Sequence, residues 1–248
     1  MTDKLRIFST CPQSKDVSSD AYREHVIEVA RWSEEFGCDG ILVYTDNGIV
    51  DPWEVAQVIV ENTERISPLV AVQPAYMHPY TVAKKLSTFA YLYGRKLWIN
   101  MVAGGFLNDL LALGDETPHD DRYLRLVEYT LIIRQLLESE TPVTFDGKYY
   151  NVKNLKMAPP IEPGLTPGIT ISGSSQTGMD AAAEIGAIAI RYPQTPDEEA
   201  GVPEGAAVPV GVRVGIIARD SAEDAWKVAL ERFPEDRKGK LTHQLAMK

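Results

Sequence analysis

Residues 97–105 read Leu97-Trp98-Ile99-Asn100-Met101-Val102-Ala103-Gly104-Gly105. This is an apolar strand that carries a single amide and ends in paired glycines. Two later stretches belong with it: Asp121-Arg122-Tyr123, and Gly173-Ser174-Ser175, where another strand end turns into a helix. Polar groups at the carboxyl ends of strands are where α/β barrels keep their chemistry. A helix start rich in small hydroxyl residues is a ready anion site. Together the three stretches predict a phosphorylated cofactor lying across the mouth of a barrel.

Working outward, strands and helices alternate. Leu5 to Ser9 is a short apolar strand. Tyr22, Val26, Val29, Ala30, Ser33 and Phe36 recur at helical spacing, with Gly37 placed to end the helix. Gly40 to Tyr44 reads as a buried parallel strand. Asp51-Pro52-Trp53-Glu54 starts a helix toward Glu64, with Asp51 as cap and Pro52 in the first turn. Leu69 to Gln73 is a third strand, and Pro79 opens a helix through Leu86 and Ala90. Leu97 to Ala103 is the fourth strand, and a long helix runs from about Asp121 to Glu138. Residues 143–152 interrupt the alternation as an inserted β-hairpin, with Asp146-Gly147 as its turn. Ile169 to Ser172, a helix from Gln176 to Ile185 ended by Gly186, and Ala187 to Tyr192 follow. Residues 193–207 form a loop, Val208 to Ala218 a seventh strand, and Ser221 starts a last helix that reaches Leu230. The expected fold is a TIM-type (β/α) barrel in one domain over residues 1–248. Seven strands are recognisable and the eighth strand and its helix are missing.

Composition narrows the function. The chain has 248 residues and a net charge of −10, without a Lys/Arg cluster, which argues against a nucleic-acid partner. Cys11 and Cys38 form no CxxC, and His25, His78, His119 and His243 are scattered, so no metal is expected. No signal peptide and no apolar run of membrane-spanning length is present, and a cytoplasmic protein is the default. No GxGxxG, GxxxxGK[ST] or GxSxG motif occurs.

Five places carry candidate chemistry. Asn100, if buried without a partner, would cost about 1–3 kcal/mol, so it either contacts a ligand or makes a structural hydrogen bond. Gly104 and Gly105 permit close approach of a ligand or simply a tight turn. Ser174, Ser175 and Thr177 add hydroxyls to the amide groups of a helix start, as a phosphate cradle or as an ordinary cap. Arg213, inside an apolar strand, calls for an anionic partner, either a ligand or an acidic side chain. His78, just before Pro79, has a pKa suited to acid–base work but also suits helix initiation. His78 and Arg213 are the catalytic candidates. Asp46 and Asn47 lie after the second strand and read more simply as an Asp-Asn-Gly turn.

The ordered motifs resemble the bacterial luciferase-like flavin monooxygenases, in particular the alkanesulfonate monooxygenase branch. They are Asp51-Pro52-Trp53, His78-Pro79 with Ala83, Asn100 to Gly105, His119-Asp120-Asp121-Arg122-Tyr123, Phe145 to Tyr150, Gly173-Ser174-Ser175, and Gly215 to Arg219 with Ala225-Trp226. The resemblance implies a barrel that binds reduced FMN delivered by a separate flavin reductase. It also implies molecular oxygen as co-substrate, a peroxide formed on the flavin, a small organic substrate and a homo-oligomer. On that pattern Tyr123, Gly173, Ser174, Ser175 and Thr177 hold the FMN phosphate, and Asn100 faces the ring system. The branch places a histidine two residues after the arginine matched by Arg213, where this chain has Gly215. Two alternatives stay open: a deazaflavin-dependent oxidoreductase, and a non-catalytic flavin-binding or partner subunit.

Overall fold

The computed structural model describes residues 5–173, 175–193 and 208–233. Seven strands form one parallel sheet: β1 (Phe8–Thr10), β2 (Gly40–Val43), β3 (Ser67–Val72), β4 (Trp98–Val102), β7 (Gly168–Ser172), β8 (Ile188–Arg191) and β9 (Val210–Val212), in that order across the sheet. Between them run α1 (Ser19–Glu35), α2 (Pro52–Asn62), α3 (Pro79–Tyr93), α4 (Leu107–Ala112), α5 (His119–Glu138) and α6 (Gln176–Ile185), with α7 (Ala222–Arg232) last. Every pairing within this sheet is parallel, so the connections from β1 to β8 are crossovers of one hand and their helices share one face. The opposite face is the interior of the barrel.

Strand alternation divides the side chains between the two faces. Val70, Val72, Ile99, Met101, Ile171 and Ala189 join Leu86 of α3, Tyr129, Ile132 and Ile133 of α5, and Ala182 and Ile185 of α6 in the main apolar core. Ile41 and Val43 meet Val26, Ala30, Val55 and Ile59 from α1 and α2 in a second, smaller core. Polar anchors tie helices to the strands that follow. Glu34, near the end of α1, accepts the backbone N–H groups of Glu64, Arg65 and Ile66 in the turn before β3. Burial would raise this carboxyl, yet the three amides hold it below the ordinary glutamate range.

The residues facing inward at the amino-terminal end of the sheet form a floor. Phe8 meets Trp98 edge to face, with centroids 5.3 Å apart. Arg6 and Lys96 place their charges over the Trp98 ring, 5.2 Å and 5.7 Å from its centroid. Gly168 sits beside Trp98 in register on β7, where a side chain would occupy the space of the indole. The interior is therefore plugged by aromatic rings from below, and polar chemistry is left to the other end.

Several expected boundaries shift. The first strand begins at Phe8 and not Leu5. The seventh spans Val210–Val212 and not Val208 to Ala218, because its neighbour β8 ends at Arg191 and offers no further ladder. The hairpin is present as β5 (Val143–Asp146) and β6 (Asn151–Leu155), but Asp146 pairs with Asn151. The turn is thus four residues long, not a tight Asp-Gly turn. Its shape comes from outside: the Glu128 carboxylate on α5 accepts N–H groups of Lys148, Tyr149 and Tyr150. The short α4 has no counterpart in the sequence reading. Residues 194–207, read as a loop, and the tail from 234 lie outside the described residues. Among the described residues, no helix is long and apolar enough to cross a membrane.

The floor sets a stability prediction. Gly168→Ala forces its new methyl into the Trp98 ring, and overpacking of this kind costs about 1–3 kcal/mol. Urea unfolding of the two chains should show that loss; an unchanged midpoint would mean the indole has room to move aside.

Candidate functional site

Asn100 is the middle residue of β4, and its side chain reaches along β7 toward that strand's carboxyl end. Its register partner is Thr170, and Ser172 lies one step diagonally on. Both hydroxyls donate to Asn100 Oδ1, Thr170 at 2.8 Å and Ser172 at 3.1 Å. Asn100 is 6% exposed. Its carbonyl oxygen is thereby satisfied, while Nδ2 has no partner among the described residues. The structural hydrogen bond and the ligand contact are both available: one end of the amide is fixed by β7, and the other remains a donor at the mouth.

Gly173 follows Ser172 and carries the chain toward α6. Tyr123, at the start of the second turn of α5, is buried with its hydroxyl against Gly173, where a Cβ would come within 2.5 Å of it. Only glycine admits the phenol there. Tyr123 also packs along Gly178 in the first turn of α6 and meets His119 edge to face at 5.3 Å. Ser175 is the α6 cap: its Oγ accepts from the Gly178 N–H at 3.2 Å, and the hydroxyl proton is still free to donate. The N–H groups of Gln176 and Thr177 have no acceptor among the described residues, the usual state of a helix start. Asn100, Ser172, Gly173, Tyr123 and Ser175 thus form one continuous rim. Ser174 lies outside the described residues.

Other expected site residues stand elsewhere or are differently engaged. The Thr177 hydroxyl donates to Asp120 Oδ1 at 3.3 Å, so it ties α6 to α5 rather than standing free. Asp120 also receives His119, and these two hydrogen bonds lower its pKa. His78 caps α3: its Nδ1 accepts from the Tyr80 N–H at 3.2 Å, which leaves Nε2 as the protonated nitrogen of the neutral ring. The ring meets Tyr150 of the hairpin edge to face at 5.9 Å, and no described contact joins it to Asn100 or Tyr123. The helix-initiating role is therefore the observed one. Gly104 adopts φ +140°, and a Cβ there would strike Leu110 and Arg122, so packing and backbone account for that glycine without a ligand. Asp46 closes an Asx turn, with Oδ1 accepting from Gly48 N–H at 2.6 Å. Asn47 holds the Tyr76 hydroxyl at 2.7 Å and donates to the Asp109 carbonyl at 3.0 Å.

Of the two anionic partners the sequence allows Arg213, an acidic side chain is not the one observed among the described residues: Nη2 donates to the Tyr44 hydroxyl at 2.9 Å and Nη1 to the Tyr192 hydroxyl at 3.2 Å. The sequence reading missed Thr170, Ser172, Tyr44 and Tyr192. The first two are visible as alternate polar positions on an otherwise apolar strand, whereas the tyrosines carry no spacing signal.

The connection from α4 into α5 is fixed by an ion pair at the edge of this site. Arg125 Nη2 donates to Asp115 Oδ2 at 2.6 Å, and the Thr117 hydroxyl donates to Oδ1 at 2.6 Å. Partial burial would raise the Asp115 carboxyl, but the hydrogen bonds from Arg125 and Thr117 outweigh it and lower its pKa from 3.8 to about 2. A depressed carboxylate stabilises the fold fully above its unfolded pKa and loses that contribution as pH falls through the folded value. Stability should therefore drop between about pH 4 and pH 2 in the native chain. In Asp115→Asn the loss, about 1–2 kcal/mol, should already be present at neutral pH, with a flatter acid limb in thermal melts.

A family model described as "Luciferase-like monooxygenase" matches residues 4–244. The chain is 38% identical over 232 residues to the 4-(gamma-L-glutamylamino)butanoyl-[BtrI acyl-carrier protein] monooxygenase BtrO of Niallia circulans, covering 92% of this chain and 67% of BtrO. Among solved structures, the long-chain alkane monooxygenase LadA superposes with a TM-score of 0.75 at 17% identity, over 99% of this chain and 72% of that one. An F420-dependent secondary alcohol dehydrogenase gives 0.66 at 18% identity, over 78% of this chain and 60% of that one. At these identities the two structures establish the barrel fold alone, and the chain spans about two thirds of the length of the relatives it matches.

Proposed function

The chain belongs to the luciferase-like monooxygenase family, and on that premise we propose that it is a reduced-FMN-dependent monooxygenase that uses molecular oxygen to oxygenate a small organic substrate. In this reading residues 1–248 are one barrel domain beside the alkanesulfonate monooxygenase branch, working as a homo-oligomer with a separate flavin reductase. The observation that carries the proposal is the Asn100 amide, locked by Thr170 and Ser172 with its N–H groups left over at the rim.

The residues present fit the flavin. The free amides of Gln176 and Thr177, at the positive end of the α6 dipole, suit a phosphate dianion. The Ser175 and Tyr123 hydroxyls stand beside them, the phenol resting in the space that a side chain at Gly173 would take. Asn100 offers its N–H groups to the ring system. Reduced flavin, when bound, supplies the electrons and the oxygen chemistry. The protein's part is to bind, orient and exclude water. The Phe8 and Trp98 rings fill apolar space beneath the rim, and the rim residues would hold the ligand above them. Among the described residues of this rim none is a free general base, so proton transfer is not assigned to His78.

Oxygen-free titration of reduced FMN into the protein, followed by tryptophan quenching, tests the proposal. Saturable binding in the micromolar range is expected. Asn100→Leu should weaken it roughly tenfold, the worth of one or two buried hydrogen bonds. Failure to saturate, or a clear preference for reduced deazaflavin F420 over reduced FMN, would overturn it.

A further inference from the structure

Arg213 crosses the mouth. Arg213 follows β9, Tyr192 follows the neighbouring β8 and Tyr44 follows β2, so the guanidinium joins the β8–β9 side of the sheet to the other end of the strand order. Its central carbon lies 5.1 Å from the Tyr44 ring centroid and 5.6 Å from that of Tyr192. Two rings and two hydroxyls therefore grip one planar cation. A guanidinium has five N–H donors, and only two of its nitrogens are engaged by the phenols. No carboxylate among the described residues lies within 4.0 Å of it. Arg125, by contrast, is matched to Asp115 and Arg134 to Glu138.

Phenol hydroxyls are neutral. They hold a cation in place but leave its charge uncompensated. The chain has 35 acidic residues against 25 basic ones, so an acid would have been easy to supply. The chain beyond the arginine is open: two residues on, a Cβ at Gly215 would meet nothing within 4 Å, whereas the space at Gly211, two residues before, is filled by Ile190. A flat donor fork, fixed between ring faces before any ligand arrives, loses little freedom on binding. Its complement is a planar, two-oxygen anion.

We propose that Tyr44 and Tyr192 are positioning residues that hold Arg213 across the mouth as a receptor for a carboxylate on the substrate. The inference rests on the monooxygenase reading of this site and specifies its substrate class. Neither tyrosine touches the reacting atoms. Each acts by fixing the plane and reach of the arginine fork, so that the oxidisable part of a carboxylate-bearing molecule lies over the flavin rim.

The test is a titration of the full-length, 15N-labelled chain with butyrate, with n-butanol and n-butanesulfonate as comparison probes. The readout is the Arg213 Nε–H resonance, assigned by its loss in Arg213→Gln. Butyrate should give a saturable shift, stronger than the sulfonate, and butanol none. Tyr44→Phe and Tyr192→Phe each remove one hydroxyl and keep the ring, and each should weaken butyrate binding about 3- to 10-fold. Tyr44→Leu should weaken it further, and Arg213→Lys should not restore it, since a point charge lacks the fork. Thermal melts establish that each variant is folded. No saturable butyrate shift, a response to butanol equal to that to butyrate, or Phe variants that match the native chain would each overturn the proposal. Reduced FMN is titrated separately. Loss of flavin binding with butyrate binding intact defeats the monooxygenase reading, and the reverse defeats only the carboxylate receptor.

Discussion

An amide cannot be left bare on the inward face of an apolar strand, and the fold meets that constraint at Asn100. Two hydroxyls from β7 converge on its carbonyl oxygen. They do more than satisfy a polar atom. They pin β4 to β7 across a long connection that contains α4, the crossover helix α5 and the inserted hairpin. They also decide which way the amide faces, because a carbonyl bound to two donors leaves the nitrogen pointing elsewhere. Gly173 and the turn into α6 come directly after Ser172, so fixing Ser172 also fixes where that helix starts. The rim inherits its geometry from this one side chain.

The two ends of the interior are built from opposite materials. Below, Phe8 and Trp98 fill the space with rings and borrow charge only from Arg6 and Lys96 at the surface. Above, the side chains are Asn, Thr, Ser, Tyr and Arg. The low-dielectric floor strengthens any electrostatic contact made above it. The hairpin belongs to the upper end. Glu128 holds its turn by three backbone amides, and Tyr150 then stands between Tyr129 and His78. A carboxylate on a rigid helix thus sets an irregular loop, and that loop fixes the ring of a helix-capping histidine.

Much of this architecture was legible in the sequence because short-range physics governs it. Asp51-Pro52, His78-Pro79 and Ser175 announce helix starts through capping chemistry, and each is a helix start. Apolar runs announced the strands. The ends of strands were harder to read, since β9 stops where β8 stops, and pairing across a sheet is not written in either strand alone. Site residues followed the same division. Ser175 is legible as a cap because its partner, the Gly178 N–H, lies three residues on, whereas Tyr123 enters only through the family resemblance. Thr170 and Ser172 were missed because their partner lies some seventy positions away. Arg213 stands out as a charge among apolar residues, but its partners are tyrosines that follow the adjacent strand β8 and the far strand β2, and nothing near it in sequence names them.

The contact between Trp98 and Gly168 also limits how this chain can change. The indole occupies the volume that any side chain at 168 would need, so the two positions share one allotment of space. A larger residue on β7 becomes tolerable only after the ring on β4 has shrunk, and shrinking the ring first leaves a hole beneath the rim. Drift at the base of the barrel must then proceed by paired replacements in a set order, and the route to a wider interior passes through an intermediate weaker than either end point.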